Sequence, residues 1–220
     1  MKKALLVGAS GFVGRFLLDE LLQSPDYDRV TIVVRKDLNL QHPKLVTLIG
    51  DYQTFPALKD RIEADEVFIT LGTTRKKTPD RKKYYQVDHD YPLLATQIAK
   101  EKGARSVFLL TAVGSDPASR VFYVRTKGEV ERDIIAEKLA HTHIFRPSMI
   151  LGNRAEFRLW EKLFLGIWPA FDPILKWLGA SKYRGIQGKT IARAMAAAAR
   201  HPARQVNYYE WEEMMRLAGD

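Results

Sequence analysis

Apolar positions along this chain come in short unbroken runs separated by longer stretches of helical spacing. Ala4–Val7, Val30–Val34, Leu45–Ile49, Val67–Leu71, Val107–Leu110 and His143–Phe145 have strand length and little polar alternation. Runs of this kind mark strands buried on both faces, as in parallel sheets. Between them, Phe12–Gln23, Tyr84–Lys102 and Phe122–Leu139 repeat apolar residues at helical spacing, and Pro56–Arg61 suits a short turn of helix. The alternation predicts an α/β fold, a doubly wound parallel sheet in three α/β/α layers. Its crossovers should be right-handed, and ligands should collect at the carboxyl ends of the strands.

After Arg146-Pro147 the pattern changes. Trp160–Leu178 is dense in Trp, Phe, Leu and Pro and reads as a broken pair of short helices. Trp160, Phe164, Trp168, Phe171 and Trp177 line it, with Pro169 and Pro173 as breaks. Three readings stay open for this segment: cover for the core, an apolar lid over a substrate, or contact with a partner or a membrane surface. Thr190–Arg200 predicts an alanine-rich helix, Gln205–Tyr208 a last strand and Tyr209–Leu217 a last helix. With no repeat or linker, residues 1–220 read as one domain, and 148–186 as a small cap over the ligand edge.

The first apolar run leads into Gly8-Ala9-Ser10-Gly11-Phe12-Val13-Gly14, and then into a helical stretch. A strand, a turn rich in glycine and a helix start make a site for a nucleotide diphosphate. Gly8 permits the sharp turn, Gly11 lets backbone N–H groups approach the pyrophosphate, and Gly14 lets helix and strand pack closely. The helix N-terminus adds unpaired donors and the positive end of its dipole.

In many such folds an acidic residue ends the second strand and holds the adenosine ribose. Here Val34 is followed by Arg35-Lys36. A guanidinium there suits a 2′-phosphate through paired charge-assisted hydrogen bonds, so NADP(H) is expected over NAD(H). The alternative is that Arg35 only stacks on adenine. Asp51, after the third strand, is a candidate acceptor for the adenine amino group, although Asp is common in such turns.

Composition narrows the field. Of 220 residues, 46% are apolar and 28% charged, as in ordinary globular proteins. No apolar run approaches the roughly 18–20 residues that span a bilayer. Met1-Lys2-Lys3 opens like a signal peptide, but the apolar run behind it is too short. The absence of cysteine excludes disulfides and thiolate catalysis and fits the cytoplasm, the localisation expected. The five histidines show no metal-like pairing, so no metal is expected; His141 and His143 read as a surface feature near a strand start. The net charge of +9 is concentrated partly in Arg75-Lys76-Lys77 and Arg81-Lys82-Lys83. Without a nucleic-acid motif beside them, they read as a solvated basic loop or as a rim attracting a phosphorylated cofactor.

Tyr123-Val124-Arg125-Thr126-Lys127 begins a predicted helix. Its four-residue spacing puts the phenol and the ammonium on one face. A Lys beside a Tyr favours the phenolate, lowering the phenol's pKa toward neutrality and making a general acid/base for a carbonyl–alcohol pair. Thr111, at the end of the fifth strand, is the candidate hydroxyl that orients the substrate.

Gly8–Gly14, Leu71-Gly72-Thr73, Thr111, Tyr123 with Lys127, and Phe145-Arg146-Pro147 occur in the order and spacing of the short-chain dehydrogenase/reductase superfamily. The chain resembles its atypical, extended-like branch. Tyr123–Glu131 and Val87-Asp88-His89-Asp90-Tyr91 look like the small family of the HIV Tat-interacting, oxidoreductase-like protein. The resemblance implies an NAD(P)-binding Rossmann fold, with Gly8, Ser10, Gly11, Phe12, Val13 and Gly14 around the pyrophosphate. It implies that Leu71, Gly72 and Thr73 line the cofactor groove, that Tyr123 is acid/base with Lys127 its partner, and that Arg146 and Pro147 stand at the nicotinamide end. Ile186–Ala192 resembles the stretch where extended members return to the core.

Three departures stand out: Thr111 replaces the usual Ser, Asp88 stands where many members have Asn, and the substrate region is short. The last argues against epimerisation of sugar nucleotides. The expected function is hydride transfer to or from a small carbonyl or alcohol, an apolar one if the aromatic segment is a lid; the alternative is a non-catalytic NADP(H)-sensing interaction module. The expected assembly is a monomer or homodimer, without nucleic acid.

Overall fold

The computed structural model describes residues 1–152, 184–201 and 204–220. The aromatic segment Trp160–Leu178, and with it most of the expected cap, lies outside the described residues.

Seven strands form one parallel sheet in the order β3-β2-β1-β4-β5-β6-β9. They are β1 (Lys2–Val7), β2 (Tyr27–Val34), β3 (Leu45–Ile49), β4 (Glu66–Ile69), β5 (Ser106–Leu110), β6 (His141–Phe145) and β9 (Val206–Tyr209). A separate two-stranded ladder, β7 (Ile150–Leu151) with β8 (Ile186–Gln187), was not legible in the sequence because two residues carry no periodicity. The helices are α1 (Phe12–Gln23), α2 (Arg81–Tyr85), α3 (Tyr91–Glu101), α4 (Phe122–Ala136), α5 (Gly188–Ala198) and α6 (Trp211–Ala218), with a 3₁₀ turn at Phe55–Arg61. The doubly wound expectation holds.

The two faces bury separate cores. On one, α1 and α5 pack together against the sheet through Leu17, Leu21, Ile191 and Met195. On the other, α3 and α4 cover Leu5, Val67, Val107 and Leu109 through Ala95, Ile98, Val130 and Ile134. The strand residues facing these helices are essentially inaccessible, which is why the strands read as unbroken apolar runs.

Two local features differ from expectation. The helix foreseen over Tyr84–Lys102 starts at Arg81 and is interrupted by a π turn, Gln86–Asp90, between α2 and α3. Extra residues in such a turn re-aim side chains, and these turns are frequent at functional sites. His143 is not a surface feature. Its ring stacks on Phe108 at 4.3 Å, and its Nδ1 lies 2.8 Å from the Tyr209 hydroxyl. Burial pushes its pKa down to about 4.

Strand order reverses between β1 and β4, because α1 leads from β1 to β2 on one side and later strands fill the other. That reversal opens a crevice at the carboxyl ends of β1 and β4.

Candidate functional site: a groove at the switch point

The floor of the crevice is backbone. Gly8 takes φ +102°, and a Cβ there would lie 2.7 Å from Thr70 Oγ1. A Cβ at Gly14 would lie only 2.1 Å from the Gly8 carbonyl oxygen, so α1 sits against the turn as closely as backbones allow. The Gly11 N–H donates to the Gly8 carbonyl at 2.9 Å, closing the turn. The outward donors are the N–H groups of α1's first residues, Phe12 and Val13, which have no preceding helical carbonyl to bond. Gly11, at the N-cap, supplies no side-chain cap for them.

Phe12 and Val13 form one wall of a groove of about 280 Å³. Thr70, Leu71, Gly72 and Thr73 follow β4 and form the next wall; Leu110 and Thr111 enter from the end of β5. Asp88 of the π turn, with Tyr123 and Lys127 of α4, closes the far end, and Lys77 stands on the rim. The three candidate catalytic residues therefore open into the space that the helix terminus faces.

Gly128 holds α4 in place. A Cβ there would meet the Asp116 and Pro117 backbone at 2.2 Å, so the loop between β5 and α4 lies directly on the helix. The Asp116 N–H also donates to the Val124 carbonyl at 3.2 Å.

The far end is wired with buried charge. Lys127 Nζ lies 2.7 Å from Asp88 Oδ1, and both side chains are nearly inaccessible. Asp88 Oδ2 accepts the Thr73 N–H at 2.9 Å, tying the π turn to the segment after β4. Tyr123 is 45% exposed as a residue, and its side chain lines the groove. Burial raises the phenol's pKa above its ordinary value; Lys127 opposes this and Asp88 adds to it. The downward pull expected from Lys127 is present but outweighed.

A second network lies behind the first. The Thr111 hydroxyl is 2.6 Å from Glu131 Oε1 and 3.3 Å from the Phe145 carbonyl. Glu131, on the α4 face four residues beyond Lys127, is buried and pairs with the Arg146 guanidinium through both carboxylate oxygens. Arg146 lies 4.4 Å over the Tyr208 ring. Arg146 was expected at the nicotinamide end; its guanidinium is instead engaged by Glu131. Pro147 is buried, and its carbonyl accepts the Val113 N–H at 2.9 Å.

The remaining candidates sit at the other end of the carboxyl edge. Arg35 and Lys36 are exposed past β2, Asp51 is exposed past β3, and Ser10 is exposed in the glycine turn. Arg35 and Asp51 both act on the Tyr91 phenol, whose pKa burial pushes up to about 12, with Asp51 raising and Arg35 lowering it. Asp51 Oδ1 accepts the N–H groups of Gln53 and Thr54 and the Thr54 hydroxyl, each at 3.0 Å. These bonds hold the carboxyl below its usual range and occupy that oxygen within its own turn.

A parallel doubly wound sheet with an uncapped, glycine-packed helix terminus at its switch point defines a dinucleotide-binding protein. The chain belongs to the NAD(P)H-binding family, whose profile matches residues 8–159. It is 33% identical over 153 residues to the yeast protein FMP52 of Saccharomyces cerevisiae, covering 68% of this chain and 66% of that one. It is 33% identical over 166 residues to protein HTATIP2 of Rattus norvegicus, covering 74% of this chain and 68% of that one. The resemblance to the HIV Tat-interacting family is thereby borne out. The matched stretch spans about two thirds of the length of these relatives. Among solved structures, MoeE5 in complex with UDP-glucose and NAD superposes with a TM-score of 0.70 at 16% identity, covering 99% of this chain and 81% of that one. At that identity the likeness speaks for the fold alone.

The cytoplasmic expectation is corrected by these relatives. The Saccharomyces protein and its counterparts from Eremothecium gossypii and Candida glabrata are all named mitochondrial. The lack of cysteine, on which the expectation rested, does not distinguish the compartments. Among the described residues, no helix is long and apolar enough to cross a membrane.

Proposed function

We propose that the chain is an NADP(H)-dependent oxidoreductase acting on a small carbonyl or alcohol. The observation that carries this reading is that Tyr123 and Lys127 open into the same groove as the start of α1. The groove suits a dinucleotide: side chains at Gly8 and Gly14 would collide with backbone or with Thr70, and the Phe12 and Val13 donors have no capping side chain. Gly8, Gly11, Phe12, Val13 and Gly14 would hold the pyrophosphate, with Leu71, Gly72 and Thr73 beside it. Arg35, with Lys36, would take a 2′-phosphate, and Pro147 would stand at the amide end.

The bound nicotinamide supplies hydride chemistry; the chain supplies placement and a proton. Tyr123 gives or takes that proton at its phenolic oxygen. Lys127 sets the field around it and anchors a ribose hydroxyl. Thr111 is constrained: its single hydroxyl proton is engaged with Glu131 or Phe145, so it offers a substrate a lone pair. That suits a substrate hydroxyl better than a carbonyl oxygen.

A second reading is a non-catalytic NADP(H)-responsive interaction module. The two internal networks favour it, because Lys127 and the Thr111 hydroxyl both already have partners within the chain. One experiment separates the two: NADPH oxidation across a panel of aldehydes and ketones and NADP⁺ reduction across the matching alcohols, with Tyr123→Phe as control. The enzymatic reading expects turnover that falls by about 10²–10⁴-fold in the variant while NADPH affinity stays nearly unchanged. Tight NADPH binding without turnover on any carbonyl or alcohol would favour the second reading.

A further inference from the structure

Asp88 is a buried carboxylate carried on a π turn, and nothing in the Tyr–Lys reading assigns it work. It faces the groove from beneath Gly72, where a Cβ would lie 3.7 Å from its Oδ1 and 3.8 Å from Lys127 Nζ. Its two oxygens are divided: Oδ2 takes the Thr73 N–H, and Oδ1 meets the Lys127 ammonium at 2.7 Å. Among the described residues Oδ1 has no aligned hydrogen bond, and the ammonium is its charged neighbour. An ammonium so closely paired is partly neutralised as seen from any third group.

We propose that Asp88 is a positioning residue: it holds the Lys127 ammonium, offsets its charge, and keeps the Tyr123 phenol in its protonated, proton-donating form. The inference rests on the reading of Tyr123 as the acid/base group. Charged groups act on that phenol from two elements, Lys127 of α4 and Asp88 of the π turn; Tyr84 of α2 is a titratable neighbour that feels the phenol, and Lys77 stands on the same rim. Of these, only Asp88 adds a full negative charge; Lys127 alone would favour the phenolate. The phenol's rise above the ordinary tyrosine range agrees with this arrangement. A phenol that keeps its proton is ready to protonate a carbonyl oxygen, which is what reduction asks of the chain. With Asn at position 88, the shape and the Thr73 bond would be kept while the offsetting charge would be lost.

The test is a titration of Tyr123 in the cofactor-free protein, by NMR of ¹³Cζ-labelled tyrosine, its resonance assigned by absence in Tyr123→Phe. The wild type should titrate above free tyrosine, and Asp88→Asn should lower the midpoint by at least about one pH unit. Asp88→Ser provides a second variant should Asn disturb folding, and it should shift the midpoint the same way. A midpoint that stays put in the folded variants, or rises, overturns the proposal. The measurement uses neither cofactor nor substrate. An absence of turnover would therefore count against the enzymatic reading alone, and an unmoved midpoint against the role of Asp88 alone.

Discussion

The two ends of the groove are made of different materials. The phosphate end is backbone and space: Gly8 and Gly14 with no room for a Cβ, and the free donors of Phe12 and Val13. The proton-transfer end is buried charge: Lys127 on Asp88, and Thr111 on Glu131 on Arg146. The first end should be intolerant of volume and indifferent to small changes of charge. The second should be the reverse. The first hangs on β1 and β4, the second on α4, the π turn and the ends of β5 and β6, so a single fold places an anion cradle beside an acid/base site.

The largest effect should come from the charged end. Glu131→Ala leaves the Arg146 guanidinium without its partner and should cost about 3–5 kcal/mol in urea unfolding. Replacing both members, Glu131→Leu with Arg146→Met, should recover most of that loss. A double variant as unstable as the single one would show that the pair does more than satisfy itself. At the phosphate end, Gly14→Ala adds one methyl group against the Gly8 carbonyl and should cost roughly 3 kcal/mol, the upper end for overpacking, while abolishing NADPH binding. Normal affinity in a folded Gly14→Ala protein would break the comparison at its first term.

Smaller effects sharpen it. Arg35→Asp should weaken NADPH by about 10–100-fold, the worth of a charge-assisted hydrogen-bond pair, and leave NADH nearly unchanged in a fluorescence titration. Equal losses for both nucleotides would make Arg35 an adenine-stacking residue. Asp51→Asn should change stability by less than about 0.5 kcal/mol, because the site is exposed and the amide oxygen can still cap its turn. A marked loss of affinity there would return Asp51 to the cofactor site.

This contrast also explains what was readable in the sequence. The phosphate end is local: strand, glycine turn and helix lie within the first two dozen residues, and each glycine answers a requirement of its own neighbours. The sheet was legible for a related reason, since buried parallel strands must be apolar throughout. The charged end depends on residues far apart in the chain. Asp88 meets Lys127 across a π turn that helical periodicity cannot reveal, because apolar spacing passes through it unbroken. Arg146 looked like a cofactor residue beside Pro147, and only the packing of α4 against β6 shows Glu131 engaging it. Glu131 did leave a signal, standing four residues after Lys127 on the same helix, but a charge at that spacing usually marks a solvated face. Tyr123 and Lys127 were found by spacing; the direction of the phenol's pKa was not, because it depends on burial and on Asp88.

The central claim is that a phosphate-bearing nicotinamide dinucleotide lies across the switch point, from the start of α1 to Tyr123 and Lys127. A crystal structure of the protein with NADPH tests it most directly. The account predicts the pyrophosphate on the N–H groups of Phe12 and Val13, and the nicotinamide ribose within hydrogen-bonding distance of Lys127. A dinucleotide bound elsewhere, or one whose nicotinamide half points away from Tyr123, would contradict it.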